Sequence, residues 1–275
     1  MASRDELIGI MNAYLDSGVA KTESAVQASW AAEATENGEP AEVLGGIWDT
    51  ATAIPWRHVF ADAETGEAGC HASVLESDFA AAVSVRLKVE AGQVTQIERL
   101  VTRRGEAGVV APHRWLEVDP AYGRVEPEGE RLTRAELIAA AEAYFDAVEA
   151  HDGSNLAVTD DCNRIENGVQ TTNNPAIGLT LGCKEGLKHL TYITKVRNRR
   201  YPVVDVERQL VWGLVVFDVP PGGTITMVVN GEKIVREQAP RTIRIAELFK
   251  VTGRMISDIE VVVRNGPIGA GDGWS

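Results

Sequence analysis

Apolar side chains recur at helical spacing near the start of the chain and again 130 residues later. The shared helix face comprises Leu7, Met11, Tyr14 and Gly18 in the first copy and Leu137, Ala141, Tyr144 and Val148 in the second. Each segment opens with the residues of a capping box, Ser3 with Glu6 and Thr133 with Glu136. The pattern therefore predicts two helices that each pack one face onto a sheet.

The segments after these helices also match between the two copies. The triplet Glu-Asn-Gly occurs at 36–38 and at 166–168, and a glycine there permits a left-handed turn. Each copy closes with a strand, a tight glycine turn and a second strand ending in Ile-Glu, in KVEAGQVTQIERLV from Lys88 and KVTGRMISDIEVVV from Lys250. Strands cluster instead of alternating with helices, so we expect an α+β fold that is present twice.

A segment without sustained periodicity separates the two copies. It reads APHRWLEVDPAYGRVEPEGE and is rich in proline, glycine and acidic residues. We therefore expect a first domain at 1–110, a linker at 111–130 and a second domain with a C-terminal tail at 131–275.

With these residues laid out, the chain resembles a tandem pair of domains from the NTF2-like superfamily, which includes SnoaL-like cyclases and ketosteroid isomerase. The cues are the Tyr/Phe-Asp ending of the helix, the Glu-Asn-Gly turn, RRYPVVD at Arg199–Asp205 and the ending IAELFKVTGRMISDIE. The resemblance implies two cones of bent antiparallel sheet wrapped by N-terminal helices, each with a pocket at its wide end. In length and tandem layout the chain also resembles the cofactor-independent diarylpropane γ-formaldehyde lyases of bacterial lignin degradation.

Composition narrows the range of partners and compartments. The net charge is −13 and no run of Lys or Arg occurs, which argues against nucleic acid or an anionic membrane as a partner. Charges at positions 4–6 and the lack of a long apolar run predict a cytoplasmic protein without a membrane span. Cys70, Cys162 and Cys183 are scattered, which favours free thiols in a reducing compartment.

Motifs for cofactors, metals and nucleophiles are missing from the sequence. The glycine-rich stretches lack nucleotide-binding spacing, the five histidines lack metal-binding spacing, and no GxSxG elbow occurs. We therefore expect no cofactor and no metal. General acid–base chemistry by carboxylate, histidine, tyrosine and arginine side chains remains.

Glu247 interrupts an apolar row on one predicted strand. Ile243, Ile245 and Phe249 share its face, whereas Val85 stands at the equivalent position of the first copy. A carboxylate there should have a raised pKa unless an arginine pairs with it. Glu247 is either a catalytic acid or base or one half of a buried ion pair, and the two cones cannot be chemically equivalent.

Two further strands, WRHVFAD and RRYPVVD, place polar and aromatic groups together. By strand alternation His58 and Asp62 share a face with Trp56, and Tyr201 shares one with Asp205, whereas the arginines point the other way unless a bulge intervenes. One interpretation is an aromatic-binding site. The other is that each aspartate ends its strand, caps a turn and pairs with an arginine.

These patterns give two sets of candidate residues, in which the asparagines are either turn residues or ligand donors. The candidate catalytic residues are His58, Arg57, Glu247, Tyr201 and Arg200. The candidate substrate-binding residues are Trp48, Trp56, Asn37, Asn167, Asp62, Asp205 and Trp212.

The leading functional hypothesis is a cofactor-independent lyase for an aromatic small molecule. The lignin resemblance implies release of formaldehyde from a diarylpropane diol to give a stilbene. The alternatives are an isomerase, dehydratase or epoxide hydrolase of the SnoaL-like type, or a non-catalytic binding protein. Val211, Val215 and Phe217 are interpreted as an apolar outer face, which predicts either a homo-oligomer, a dimer or trimer, or the packing of one half of the chain on the other. The tail residue Trp274 is either disordered, docked on a neighbouring subunit or placed at a pocket mouth.

Overall fold

The structure is a computed structural model that describes residues 2–22, 28–229 and 232–274. The first unit consists of α1 (Arg4–Ala20), β1 (Ala28–Glu36), β2 (Glu39–Pro40), α2 (Ile47–Thr50), β3 (Ala51–Asp62), β4 (Glu67–Glu76), β5 (Phe79–Glu90) and β6 (Gln93–Thr102). A connecting segment follows with α3 (Pro120–Gly123) between the 3₁₀ turns Pro112–Arg114 and Glu128–Glu130.

The second unit repeats this order. It consists of α4 (Arg134–Ala150), β7 (Val158–Glu166), β8 (Val169–Gln170), the 3₁₀ turn Pro175–Ile177, α5 (Cys183–Leu187), β9 (Lys195–Asp205), β10 (Leu210–Val219), β11 (Thr224–Val229), β12 (Glu232–Glu237), β13 (Arg241–Thr252) and β14 (Met255–Gly266). The two sheets have the equivalent orders β2-β1-β6-β5-β4-β3 and β8-β7-β14-β13-β10-β9, and β11 with β12 forms a separate hairpin. The predicted duplicated α+β fold is confirmed.

Both long helices begin with the predicted capping box. The Ser3 hydroxyl accepts from the Glu6 amide and the Glu6 carboxylate accepts from the Ser3 amide, and Thr133 and Glu136 do the same in α4. Each arrangement satisfies amides of the first turn that have no partner within the helix.

The long helix of each unit covers one face of its sheet, and side chains fill the space between them. Trp48 packs against Gly18 in the first unit, where a β-carbon would overlap the indole ring. Phe145 and Phe249 pack edge to face in the second unit, with ring centroids 5.6 Å apart. The expectation that Val211, Val215 and Phe217 form an outer face is wrong, because all three lie in the core under α4.

The faces of the two sheets that point away from the long helices pack against each other. This contact has its own apolar core, which includes Trp56, Phe60, Leu100, Val203, Leu210, Trp212, Leu248 and Val262. Two equivalent ion pairs flank it. Arg4 of α1 pairs with Asp205 at 2.8 Å, and Arg134 of α4 pairs with Asp62. The chain therefore resembles a two-fold dimer whose subunits are joined covalently.

The repeated Glu-Asn-Gly triplets form left-handed turns. Hydrogen bonds from these turns join the end of β1 to β6 and the end of β7 to β14. Asn37 has φ 56°, its amide donates to Arg99 O and its side-chain oxygen accepts from Val101 N, both at 2.8 Å. Asn167 makes the equivalent bonds to Val261 O and Val263 N. The turn interpretation accounts for both asparagines.

Within the described residues, no helix has both the length and the apolar character needed to cross a membrane.

Candidate functional site

Two histidines share one carboxylate oxygen between the two sheets. The Nδ1 atoms of His58 and His71 lie 3.0 Å and 2.9 Å from Oε1 of Glu260. An ionised carboxylate only accepts hydrogen bonds, so each Nδ1 carries the hydrogen and each Nε2 is left on the far side of its ring. A carboxylate that orients an imidazole in this way is the arrangement used to prepare a histidine for proton transfer.

Strand pairing brings the three residues together. His58 on β3 and His71 on β4 are direct cross-strand partners within the first sheet. Glu260 lies on β14 of the second sheet and reaches across the contact between the sheets, since its neighbours Ile259 and Val261 point into the core under α4. The cluster is therefore completed only when the two units pack together.

The cluster is almost fully enclosed. His58, His71 and Glu260 are 6%, 0% and 5% exposed. Burial alone would raise the pKa of Glu260, but the charge and hydrogen bonds of the two histidines outweigh it and hold that pKa at about 2. Burial lowers the pKa of His71, which favours a neutral ring at neutral pH. Hydrogen bonds to the Glu260 carboxylate and to the main chain of Ala246 offset this shift only in part.

Aromatic side chains surround the cluster. Phe60 lies edge-on to both imidazoles, with centroid distances of 5.5 Å to His58 and 5.6 Å to His71. Trp212 approaches His71 at 6.2 Å, and Tyr122 approaches His58 at 4.9 Å. The indole nitrogens of Trp56, Trp115 and Trp212 are buried donors without an acceptor among the described residues. The site therefore combines proton-transfer groups with flat apolar walls and unused N–H donors.

The connecting segment covers this site, and residues 111–126 are called the strap below. Its ends are fastened to the second unit by hydrogen bonds from Ala111 N to Asn167 O and from Glu126 N to Glu207 O, both 2.9 Å. Between these ends, Trp115 stacks on Trp56 with centroids 4.6 Å apart and rings inclined by 13°. The strap is thus the element that a molecule entering from the side of Trp56 and His58 must displace.

A second cluster occupies the position related to this one by the internal repeat. Glu98 lies on β6 at the position that Glu260 has on β14, and its carboxylate is bound by Arg200 at 2.7 Å and 3.1 Å. Leu214 of β10 is the counterpart of His71 in the internal repeat, and Arg200 of β9 lies opposite it. This pairing results from a register shift between Arg200 and Val203, which adds one residue to β9. One cluster is built on imidazole and the other on guanidinium.

This register shift changes where two predicted residues point. Arg200 lies on the face that contacts the first unit, as the bulge alternative allowed. Tyr201 instead packs against the core under α4, so the expectation that it shares a face with Asp205 is wrong. Burial raises the pKa of Tyr201. Pro202 follows it and cannot donate to the ladder, which is a recognised signal for irregular strand pairing.

Glu247 is buried under α4, away from both clusters. Arg164 lies 2.8 Å from its carboxylate and also binds Glu166. Burial raises the pKa of Glu247, and the charge of Arg164 offsets this only in part. The alternative of a buried ion pair thus describes its contacts, and its second carboxylate oxygen has no partner among the described residues.

Several other predicted residues lie outside the two clusters. Arg57 pairs with Asp16 of α1 at 2.8 Å and points away from His58. The Trp48 indole donates to the Tyr14 hydroxyl inside the first core, where it cannot hold a ligand ring of the shared cluster. Both side-chain groups of Asn167 bind main chain.

The two candidate aspartates have structural partners. Asp62 accepts from the amides of Glu64 and Thr65 in its turn and binds Arg134. Asp205 accepts from the Arg208 amide and binds Arg4. Each aspartate ends its strand, caps a turn and pairs with an arginine, so the second interpretation describes both, although the arginine comes from the other unit.

Sequence reasoning missed Glu260 and His71. Glu260 was used only to align the two copies through their Ile-Glu pairs. His71 belongs to no motif in the sequence. The available signal was pairing, because a hairpin that ends at Asp62 and restarts at Glu67 places His58 opposite His71. No group of three or more His, Cys, Asp or Glu side chains in the described parts of the chain is arranged to hold a metal ion.

Comparisons with known proteins give matches to parts of the chain. A family model described as a domain of unknown function, DUF8021, matches residues 130–263. No curated protein matches the chain. Similar solved structures include AusH from Aspergillus nidulans, with 10% identity over 48% of this chain and 85% of that one and a TM-score of 0.30. A proposed ketosteroid isomerase from Kribbella flavida matches with 14% identity over 46% and 93% and a TM-score of 0.31. LinA matches with 15% identity over 50% and 90% and a TM-score of 0.28.

Each of these structures covers about half of the chain. The chain's own elements define its class: it has two tandem α+β units, each a long helix followed by a six-stranded sheet. At these identities and TM-scores the likeness concerns the fold and says nothing about activity.

Proposed function

We propose that this protein is an acid–base enzyme that acts on an aromatic small molecule at the His58–Glu260–His71 cluster. The observation that carries the proposal is one ionised, enclosed carboxylate that orients two imidazoles within an aromatic surround. A structural ion pair needs neither the second imidazole nor three indole donors without acceptors.

The two histidines can divide the proton transfers between them. His71 is the base, since burial favours the neutral form of its ring. His58 is the acid, and the same Glu260 carboxylate holds its Nδ1. Trp56, Phe60 and Trp212 supply ring contacts, and enclosure strengthens each electrostatic interaction with the reacting groups.

The specific reaction that we propose is loss of formaldehyde from a diarylpropane-1,3-diol. His71 takes the proton of the primary hydroxyl, whose oxygen becomes the carbonyl of formaldehyde as the carbon–carbon bond breaks. The released electron pair forms the double bond of the stilbene and expels the secondary hydroxyl, which His58 protonates to water. One diol then gives one stilbene, one formaldehyde and one water, without a redox partner.

The test uses the purified full chain and a diarylpropane-1,3-diol, with formaldehyde and stilbene measured separately. Turnover should fall at least 100-fold in both His71→Gln and His58→Gln, as expected when a general acid or base is removed. His189→Gln is the matched control and should leave turnover unchanged, because His189 lies outside both clusters.

Two negative results would have different meanings: one would rule out only the lyase reaction, and the other would rule out the cluster as the active site. No formaldehyde from the diol, with solvent deuterium entering an aromatic ketone, would replace the lyase reaction by an isomerase reaction at the same cluster. Turnover of either substrate at the wild-type rate in His71→Gln would remove the cluster from the chemistry.

A further inference from the structure

The C-terminal tail, residues 267–274, folds back onto the first unit of its own chain. The Trp274 indole donates to the Thr35 hydroxyl at 3.1 Å, and the Arg86 guanidinium lies 5.5 Å from the Trp274 ring centroid. Gly273 contacts Gly38 so closely that a β-carbon on Gly273 would lie 2.7 Å from the Gly38 Cα. The tail is therefore docked, and its docking site includes the first Glu-Asn-Gly turn.

Three arginines of the second unit donate hydrogen bonds to the tail. Arg200 Nε donates to the Asp272 carboxylate at 3.0 Å, and Asp272 is 7% exposed. Arg244 donates to Gly271 O at 2.9 Å, and Arg197 donates to Ala270 O at 2.6 Å. The tail thus presents a carboxylate and an indole to a surface of guanidinium groups.

A small cavity of about 30 Å³ lies behind Asp272, between the two sheets. That volume holds about one water molecule. Its walls include Trp212 and Ser84, and the indole nitrogen and hydroxyl of these buried residues have no partner among the described residues. Nε of Arg86, a third wall residue, is also without one. These residues and Asp272 of the tail together line the cavity.

The charges of this pocket depend on the tail. Arg86, Arg200 and Arg244 face the carboxylates of Glu98 and Asp272, and Glu67 binds Arg86 from the side at 2.7 Å. Burial, together with the charge of Arg264, lowers the pKa of Arg244. Without Asp272, Arg200 would keep only Glu98 as a bound carboxylate and Arg244 would keep the charge of Glu39. The pocket would lose one negative charge at Arg200, which favours an anion there.

The tail also matches the strap by position in the repeat. The strap follows β6 and passes over the second Glu-Asn-Gly turn, where a β-carbon on Gly168 would overlap the Ala111 carbonyl. The tail follows β14 and passes over the first such turn. Trp115 covers the imidazole cluster in one case, and Trp274 covers the guanidinium cluster in the other.

We propose that this guanidinium pocket is a binding site for aromatic carboxylates, and that Asp272 and Trp274 occupy it as an internal ligand. A bound molecule would place its carboxylate on Arg200, where Asp272 now lies, and its ring beneath Arg86, where Trp274 now lies. The inference does not depend on the proposed lyase activity, because Arg86 and Arg200, which would bind the ligand, take no part in that reaction.

The test compares the full chain with a chain that ends at Ile268, using calorimetry with indole-3-propionate as the probe. The shortened chain should bind the probe at least tenfold more tightly than the full chain. Arg200→Met in the shortened chain should abolish that binding, whereas Arg254→Met, which removes an exposed arginine elsewhere, should not. The neutral amide of the probe should bind neither chain.

A synthetic peptide GAGDGWS should compete with the probe for the shortened chain. If removing the tail unfolds the protein, the full chain carrying Asp272→Ala and Trp274→Ala applies the same comparison. Equal affinity of the full and opened chains for the probe, or binding that survives Arg200→Met, would overturn the proposal.

Discussion

Glu98 and Glu260 occupy equivalent positions on β6 and β14, yet their carboxyl pKa values shift in opposite directions. Burial raises the pKa of Glu98 in spite of its contacts with Arg200. The pKa of Glu260 falls to about 2 because His58 and His71 outweigh the effect of burial. Duplication has therefore produced two buried acids with the same backbone position and different proton affinities.

This difference predicts opposite effects on acid stability. A lowered carboxyl pKa gives stability that is present above the ordinary value of 4.5 and is lost as pH falls toward 2, because the unfolded chain binds the proton first. Between pH 5 and pH 2, the free energy of unfolding should therefore fall by about 3 kcal/mol more in the wild type than in Glu260→Gln.

Glu98→Gln is the matched control for this comparison. Glu98 binds a proton more readily in the folded protein than in the unfolded chain. Protonation of Glu98 at low pH therefore stabilises the folded protein. Its replacement should leave acid sensitivity the same or increase it. Denaturant unfolding at several pH values measures all three proteins, and equal acid slopes for wild type and Glu260→Gln would contradict the arrangement.

The cross-unit ion pair of Arg134 with Asp62 should stabilise the contact between the two units. Asp62 is 3% exposed and also binds the Val204 amide, so its replacement leaves buried donors unpaired. Asp62→Ala should lower the free energy of unfolding by about 2–4 kcal/mol. A double-mutant cycle with Arg134→Met should give a coupling of about 1 kcal/mol or more.

The exposed pair of Arg254 with Glu136 provides the comparison for that cycle. Its arginine side chain is 65% exposed, and such pairs contribute about 0–1 kcal/mol. Arg254→Met should therefore change stability little. A zero coupling between Asp62 and Arg134 would show that this ion pair does not help to hold the two units together.

Glycines at positive φ should differ in their tolerance of alanine. Gly168 and Gly92 have φ of 85° and 79°, so both substitutions carry a left-handed backbone cost of about 1–2 kcal/mol. A β-carbon at Gly168 also overlaps the Ala111 carbonyl of the strap, whereas one at Gly92 meets nothing within 4 Å. In chemical unfolding, Gly168→Ala should be the more destabilising by at least about 1 kcal/mol. Equal losses would mean that the strap is not held there.

Cys162 and Cys183 should form a disulfide under mild oxidation. Their sulfur atoms lie 2.9 Å apart, whereas Cys70 is held in the first core. With hydrogen peroxide as oxidant, two thiols lose two electrons and two protons, and the peroxide is reduced to water. Thiol titration after denaturation should then find one free thiol per chain instead of three, and two in Cys183→Ser. Retention of three in the wild type would contradict the prediction.

Local patterns predicted the elements well because local chemistry determines them. The capping boxes at Ser3 and Thr133 start both long helices, and the glycine turns near Lys88 and Lys250 close both hairpins. Strand alternation also placed Glu247 correctly among apolar neighbours.

Three features could not be predicted from local patterns. Both faces of β10 are apolar because each is covered, so its sequence does not reveal which face the helix covers. His58 and Glu260 are 202 residues apart, and only the packing of one unit on the other brings them together. An added residue in β9 also reversed the expected directions of Arg200 and Tyr201.

The covalent connection between the units removes a constraint that governs ordinary homodimers. In an isologous dimer every substitution at the contact appears twice, so an imidazole cluster on one side requires the same cluster on the other. Here Glu98 and Glu260 are encoded separately, and each could acquire its own neighbours without altering its counterpart. The single polypeptide is thus equivalent to a heterodimer. The residues around Glu260 could change while the residues around Glu98 continued to stabilise the contact between the units.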